Sequence, residues 1–128
     1  NKINMKILVV DDEKDVQTLF EQRFRKEIKS AEMDFVFAFS GEEALQFLYT
    51  HNHEAVLILS DINMPGMSGL ELLRQIKDKH KTPPPVVMMI TAYGDAENHN
   101  AAMQLGADDF LTKPVDFPSL KEKLKSIH

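Results

Sequence analysis

The stretch Leu57-Ile58-Leu59-Ser60-Asp61-Ile62-Asn63-Met64-Pro65-Gly66 decides the fold. An apolar run of strand character ends in a carboxylate, and a Pro-Gly pair then turns the chain. A lone charge beside a core is costly unless something compensates it. Asp61 therefore needs partners, and other strand-like runs supply them at the same relative place. Asp11 and Asp12 follow Ile7-Leu8-Val9-Val10, Thr91 follows Val86-Val87-Met88-Met89-Ile90, and Lys113 follows Phe110-Leu111-Thr112.

Between these runs the apolar period changes from strand to helix. Met5 to Val10 does not alternate, which suggests a strand covered on both faces. Val16, Leu19, Phe20, Phe24 and Ile28 then recur at helical spacing, with Arg23, Arg25, Lys26 and Lys29 on a solvated side. Phe35 to Phe39 reads as a second strand, and Ser40-Gly41-Glu42-Glu43 as a capping box opening a helix through Ala44, Leu45, Phe47 and Leu48. His51 and His53 lack a third ligand nearby and read as loop. Ala55 to Leu59 forms the third strand, and Ser68-Gly69-Leu70-Glu71 caps a helix through Leu72, Leu73 and Ile76. Pro83-Pro84-Pro85 forces an extended connection, since none of the three can donate a backbone hydrogen bond. After Val86 to Ile90, the helix from about Asp95 to Leu105 carries only a thin apolar stripe and is expected to be mobile, with Gly106 placed to end it. A last helix follows Lys113-Pro114, carrying Phe117, Leu120, Leu124 and Ile127.

Five strands and five helices in alternation predict an α/β fold, a doubly wound five-stranded parallel sheet with helices on both faces. Ligands of such sheets bind beyond the carboxyl ends of the strands, where strand order reverses. Asp11, Asp12, Asp61, Thr91 and Lys113 all sit at such ends.

Length and composition narrow the rest. A chain of 128 residues, 43% hydrophobic, suits one domain, residues 1–128, structured over about 5–127. Absent cysteines exclude disulfides and thiolate metal sites. No stretch is long and apolar enough to span a bilayer, and no signal segment opens the chain; a cytoplasmic address without membrane insertion is expected. A net charge of −5 disfavours direct binding to nucleic acid. Asn1 in place of an initiator Met suggests an excised piece.

Three carboxylates converging in one crevice raise each other's pKa unless a cation joins them. Oxygen-only donors suit a hard ion, above all Mg²⁺, which keeps waters and accepts a phosphate in its shell. A carboxylate beside such an ion can become an aspartyl phosphate, with Lys113 and Thr91 available to the equatorial oxygens. Taken singly, each residue also has an architectural reading. Asp11 or Asp12 could cap the first helix, Thr91 could cap the fourth, and Lys113 could neutralise a buried acid.

The phrases Val9-Val10-Asp11-Asp12-Glu13, Ser40-Gly41-Glu42-Glu43-Ala44-Leu45, Asp61-Ile62-Asn63-Met64-Pro65-Gly66-Met67-Ser68-Gly69, Thr91-Ala92-Tyr93 and Gly106-Ala107-Asp108-Asp109-Phe110-Leu111-Thr112-Lys113-Pro114 stand in one order. In that order the chain resembles a receiver domain of the two-component response regulators. The resemblance implies a flavodoxin-like sheet of strand order 2-1-3-4-5. It implies that Asp61 takes a phosphoryl group from the phosphohistidine of a sensor histidine kinase or histidine phosphotransfer protein. Mg²⁺, or Mn²⁺ in its place, would be held by Asp12, Asp61, the backbone carbonyl of Asn63 and, through water, Asp11. Thr91 and Lys113 would bind the phosphoryl oxygens. Thr91 and Phe110 would form the switch, with Phe110, lacking a hydroxyl, acting by packing alone. Asn63 and Tyr93 would flank the path of attacking water, the bulk of Tyr93 slowing hydrolysis, and the Lys113–Pro114 bond would be cis.

On this reading the protein is no enzyme beyond its own phosphorylation and dephosphorylation. It signals by altering the surface of the fourth helix, fifth strand and fifth helix, toward a partner, an output domain or a second copy. Two other readings remain. An aspartate-nucleophile phosphatase shares the covalent intermediate, but Asn63 stands where such enzymes place a general acid. A phosphate-independent interaction module would tolerate a degenerate site, whereas here every site residue is present. Nucleotide binding is disfavoured, because no glycine-rich loop follows the first strand.

Overall fold

The computed structural model describes residues 5–51, 57–79 and 85–126. Five parallel strands, β1 (Met5–Val10), β2 (Met33–Ala38), β3 (Leu57–Asp61), β4 (Val86–Thr91) and β5 (Asp109–Thr112), form one sheet in the order β2-β1-β3-β4-β5. Around it lie α1 (Asp15–Arg23), α2 (Arg25–Lys29), α3 (Gly41–Thr50), α4 (Gly69–Lys79), α5 (Ala96–Gln104) and α6 (Phe117–Lys125).

Sequential residues of the inner strands face opposite layers, which is why their sequences are apolar without alternation. Ile7, Val9, Leu57, Leu59, Met88 and Ile90 pack with Phe20, Phe24, Phe117, Leu120 and Leu124 from α1, α6 and the residue between α1 and α2. Leu8, Val10, Ile58, Val87 and Met89 pack with Leu45, Leu48, Leu72, Leu73 and Ile76 on the other face. The first layer is strongly aromatic: the Phe20 ring lies 5.8 Å from Phe24, 5.7 Å from Phe35 and 5.2 Å from Phe117.

The expected first helix is divided. Phe24 leaves helical geometry (φ −109°, ψ 24°), so α1 and α2 are separate segments although Phe24 N–H still donates to Phe20 O at 2.9 Å. The division changes which residues of the expected stripe are covered. Phe20 and Phe24 are buried, whereas Leu19 and Ile28 are exposed. Glu27 takes an inner position instead, with Lys121 of α6 3.5 Å from its carboxylate. Strand β2 starts two residues before Phe35 and ends at Ala38, short of Phe39.

Local signals fixed the other ends. Ser40 Oγ accepts from Glu43 N–H, and the Glu43 carboxylate accepts from Phe39 N–H, one residue beyond the expected Ser40. Ser68 Oγ accepts from Glu71 N–H, but the Glu71 carboxylate is taken by Arg74 and Gln75, so that box is half formed. Gly106, at φ +100°, ends α5 with paired bonds from Gly106 N–H to Met103 O and Ala107 N–H to Ala102 O. Ala102 is the only buried residue of α5, in line with its thin apolar stripe. His53, Ala55, Val56, Pro83, Pro84 and Ile127 lie outside the described residues, while His51 stacks on Phe47 at 4.5 Å.

Candidate phosphoryl-acceptor site

Strand order reverses between β1 and β3, since the chain leaves β1 for β2 on one side and reaches β3 on the other. Register then places the acids. Val10 lies opposite Ser60, so the next residues, Asp11 and Asp61, meet at the mouth of that crevice. Asp61 lies opposite Ile90, and Thr91 opposite Thr112, which brings Thr91 and Lys113 to the same end of the sheet.

The carboxylates of Asp11, Asp12 and Asp61 each offer an oxygen within 4.8 Å of the others. Asp61 is only 4% exposed and Asp11 is also buried, whereas Asp12 opens to solvent. Asp61 Oδ2 accepts from Lys113 Nζ at 2.9 Å and its Oδ1 from Ile62 N–H at 2.8 Å. Asp11 Oδ1 accepts from Glu13 N–H at 2.9 Å. Burial pushes the Asp11 carboxyl above its usual range, and the charges of Asp61 and Asp12 push the same way against the Glu13 hydrogen bond and Lys113. Burial works against the Lys113 ammonium, yet its bond to Asp61 and the charges of Asp61 and Asp11 hold it above its ordinary value. One lysine thus faces three acids. Such an excess of close oxygen donors fits a hard divalent cation such as Mg²⁺.

The architectural readings of the acids fall away. Lys14 stands at the N-cap of α1 without a side-chain bond, and Asp95, not Thr91, caps α5 by accepting from Asn98 N–H. The Thr91 hydroxyl, buried, donates to Leu111 O at 3.4 Å on β5. Phe110, next in β5, is half-buried, and its ring centroid lies 3.8 Å from that of His99 on α5. Asn63 is exposed in the turn after β3, and Tyr93 stands 89% exposed beyond β4. The Lys113–Pro114 peptide is cis.

Sequence reasoning missed two supports of the site. A Cβ on Gly69 would overlap the Asp61 carbonyl oxygen and come within 2.7 Å of Ile62 Cα, so the start of α4 lies directly on the end of β3. Gly69 N–H closes this contact on Ile62 O at 2.7 Å. On Gly41, a Cβ would meet Met67 Sδ at 2.8 Å, which seats the loop after Asp61 on the start of α3. Both glycines were visible within motifs, but only the close approach explains why the side chain must be missing. The third unpredicted contact is the His99–Phe110 pair, which no spacing rule relates.

A doubly wound parallel sheet with three carboxylates and a lysine gathered at its switch point defines a class, the acid-pocket α/β domains that bind ligands at strand carboxyl ends. Residues 7–125 match the response regulator receiver domain, and the chain belongs to that family of two-component signalling. It is similar to a response regulator receiver protein from Pseudomonas putida, with 30% identity, 98% of each chain covered and a TM-score of 0.82. A response regulator receiver domain protein from Clostridium thermocellum is 30% identical over 94% of this chain and 91% of its own, with a TM-score of 0.82. The receiver domain of a Francisella response regulator is 30% identical over 95% of this chain and 94% of its own, with a TM-score of 0.80. Among the described residues no helix is long and apolar enough to cross a membrane.

Proposed function

We propose that residues 1–128 form one receiver domain that works as a phosphorylation-dependent switch in the cytoplasm. It takes a phosphoryl group onto Asp61 from the phosphohistidine of a sensor histidine kinase or histidine phosphotransfer protein. The observation that carries this reading is the 2.9 Å contact of Lys113 Nζ with a buried Asp61 that shares its pocket with two further acids.

In the transfer, an Asp61 carboxylate oxygen forms a bond to phosphorus as the bond from phosphorus to the donor imidazole nitrogen breaks. The bonding pair leaves with that nitrogen, and because the donor ring carries a proton on its other nitrogen, the neutral imidazole results. Asp11, Asp12, Asp61 and the Asn63 carbonyl would hold Mg²⁺ or Mn²⁺. When bound, the cation draws charge from the phosphoryl oxygens and offsets repulsion between the acids and the incoming group. Ile62 N–H fixes the Asp61 carboxylate at Oδ1. Lys113, already at Oδ2, is placed to follow the phosphoryl oxygens as negative charge moves onto them.

Thr91 would exchange its bond to Leu111 O for one to the phosphoryl group, freeing the β5 backbone next to Phe110. Phe110 would then repack against α5 without a hydroxyl bond to gain or lose. The affected surface is α5, β5 and α6, which would turn toward an output domain, a downstream protein or a second copy. Beyond its own phosphorylation and dephosphorylation the domain turns over no substrate. Asn63 lacks the acid–base group a phosphatase would need there.

Intact mass after incubation with Mg²⁺ and acetyl phosphate tests this reading. A phosphoryl adduct that requires Mg²⁺ and is lost in Asp61→Asn is the expected result. A folded, Mg²⁺-binding protein that forms no adduct would instead be a phosphate-independent interaction module, and rapid multiple turnover of the donor would identify a hydrolase.

A further inference from the structure

A groove of about 870 Å³ opens beside the acid pocket and shares two residues with it, Asp11 and Lys113. Its walls come from four segments: α1 supplies Val16 and Leu19, the turn after β4 supplies Tyr93, the connection from β5 to α6 supplies Pro114 and Val115, and the first turn of α6 supplies Pro118. Val16 and Val115 are half-buried against the core, whereas Leu19, Tyr93, Pro114 and Pro118 stay exposed. Leu19 and Tyr93 are two of the large apolar side chains that the described surface leaves exposed, at 39% and 89%, and both flank this groove. The volume is within the ~300–1,000 Å³ of small-molecule clefts, and a mostly apolar lining with a few charged groups, here Asp11, Glu13, Arg23, Lys113 and Asp116, is their usual make-up.

The two charged groups shared with the acid pocket decide what enters. In-line transfer sends the leaving group away from the attacking oxygen. The groove meets the acid pocket at Lys113, bonded to that acceptor, and at Asp11, which line both. We infer that the groove is a leaving-group subsite, and that it makes the domain selective among small acyl phosphates for those with an aromatic or branched acyl group. The inference rests on Asp61 as phosphoacceptor. In the reaction an Asp61 oxygen bonds to phosphorus, the bond between phosphorus and the bridging acyl oxygen breaks, and the carboxylate departs with the electron pair, so no proton transfer is needed. The acyl chain leaves water for Leu19, Val16 and the prolines before the bond breaks, which lowers KM.

The test compares acetyl phosphate with benzoyl phosphate on the full chain with Mg²⁺. Adduct formation is followed by intact mass, and each rate is divided by that donor's rate of phosphoryl transfer to pyridine, which like Asp61 attacks at phosphorus. The expected result is a saturable preference for benzoyl phosphate of about tenfold, from partial burial of one ring. Leu19→Asn, in α1, and Pro118→Asn, in the first turn of α6, should each abolish the preference and, adding no charge, leave the acetyl phosphate rate unchanged. That unchanged rate also shows that the variants are folded. Equal normalised rates for the two donors, or a preference that survives both substitutions, would overturn the subsite while leaving Asp61 as acceptor. No adduct from either donor would overturn both.

Discussion

Gly69 is the position where the smallest chemical change should reach the site most directly. Its φ lies outside the positive range that favours glycine, so an alanine would meet no backbone strain there; the obstacle is space. In Gly69→Ala the new methyl would overlap the Asp61 carbonyl oxygen and lie 2.9 Å from the Asp61 carbonyl carbon. Unstrained non-bonded carbons sit ~3.5–4.0 Å apart. Every atom in the way is backbone, so no rotamer change can relieve the contact. Overpacking of this kind costs ~1–3 kcal/mol. Parting α4 from β3 also weakens the 2.7 Å bond from Gly69 N–H to Ile62 O, which contributes ~0.5–1.5 kcal/mol. Against this, alanine gains at most ~1 kcal/mol over glycine in a helix. The net loss is about 2 kcal/mol, or ~1 M in the urea midpoint for a slope of about 2 kcal/mol per M. Because the displaced group is Asp61 itself, Mg²⁺ affinity should fall together with stability. Gly41→Ala is the control. Its methyl meets the flexible Met67 side chain, 2.8 Å from Sδ, and should cost under ~1 kcal/mol. A Gly69→Ala midpoint within ~0.2 M of the native chain would refute the account of the β3–α4 contact.

Three further outcomes follow from the site and its surroundings. Mg²⁺ at about 100 times its dissociation constant should stabilise the native chain by ~2.7 kcal/mol in thermal unfolding. Asp12→Asn, which removes an exposed charge from the acid cluster, should abolish that increment without lowering stability in the absence of the ion, and an undiminished increment would exclude Asp12 as a ligand. Hydrogen bonds from Arg74 and then Gln75 hold the Glu71 carboxyl down from its usual 4.5 to about 2. The stabilisation from that bond is complete above pH 4.5 and is lost as pH falls through about 2. Carboxyl NMR should show this titration return toward 4.5 in Arg74→Ala. Finally, Tyr93→Ala should shorten the life of the aspartyl phosphate several-fold once adduct has formed. Decay at the native rate would show that the ring, 89% exposed, does not hinder water.

The sheet, its helices and the placing of acids at strand ends were legible from the sequence. Each rests on short-range rules, such as apolar runs closed by Asp11 and Asp61, hydroxyl caps at Ser40 and Ser68, and Gly106 at a helix end. What failed locally failed for tertiary reasons. Helical spacing alone treats Leu19, Phe20, Phe24 and Ile28 alike, but only packing against Phe35 and Phe117 chose Phe20 and Phe24 for the core. The same packing left Leu19 on a groove wall and took Glu27 inside against Lys121.

The sequence by itself determined which residues could do chemistry, because a carboxylate, a hydroxyl or an ammonium is a property of the side chain, and it placed each at the end of an apolar run. Only the tertiary structure decided how they meet. Parallel register brought Asp11 level with Asp61, and a crossover to β5 put Lys113 Nζ 2.9 Å from its carboxylate. The absent side chain at Gly69 let a helix close over the strand that carries Asp61. Distances of this kind arise between segments far apart in the chain, and local pattern carries no record of them.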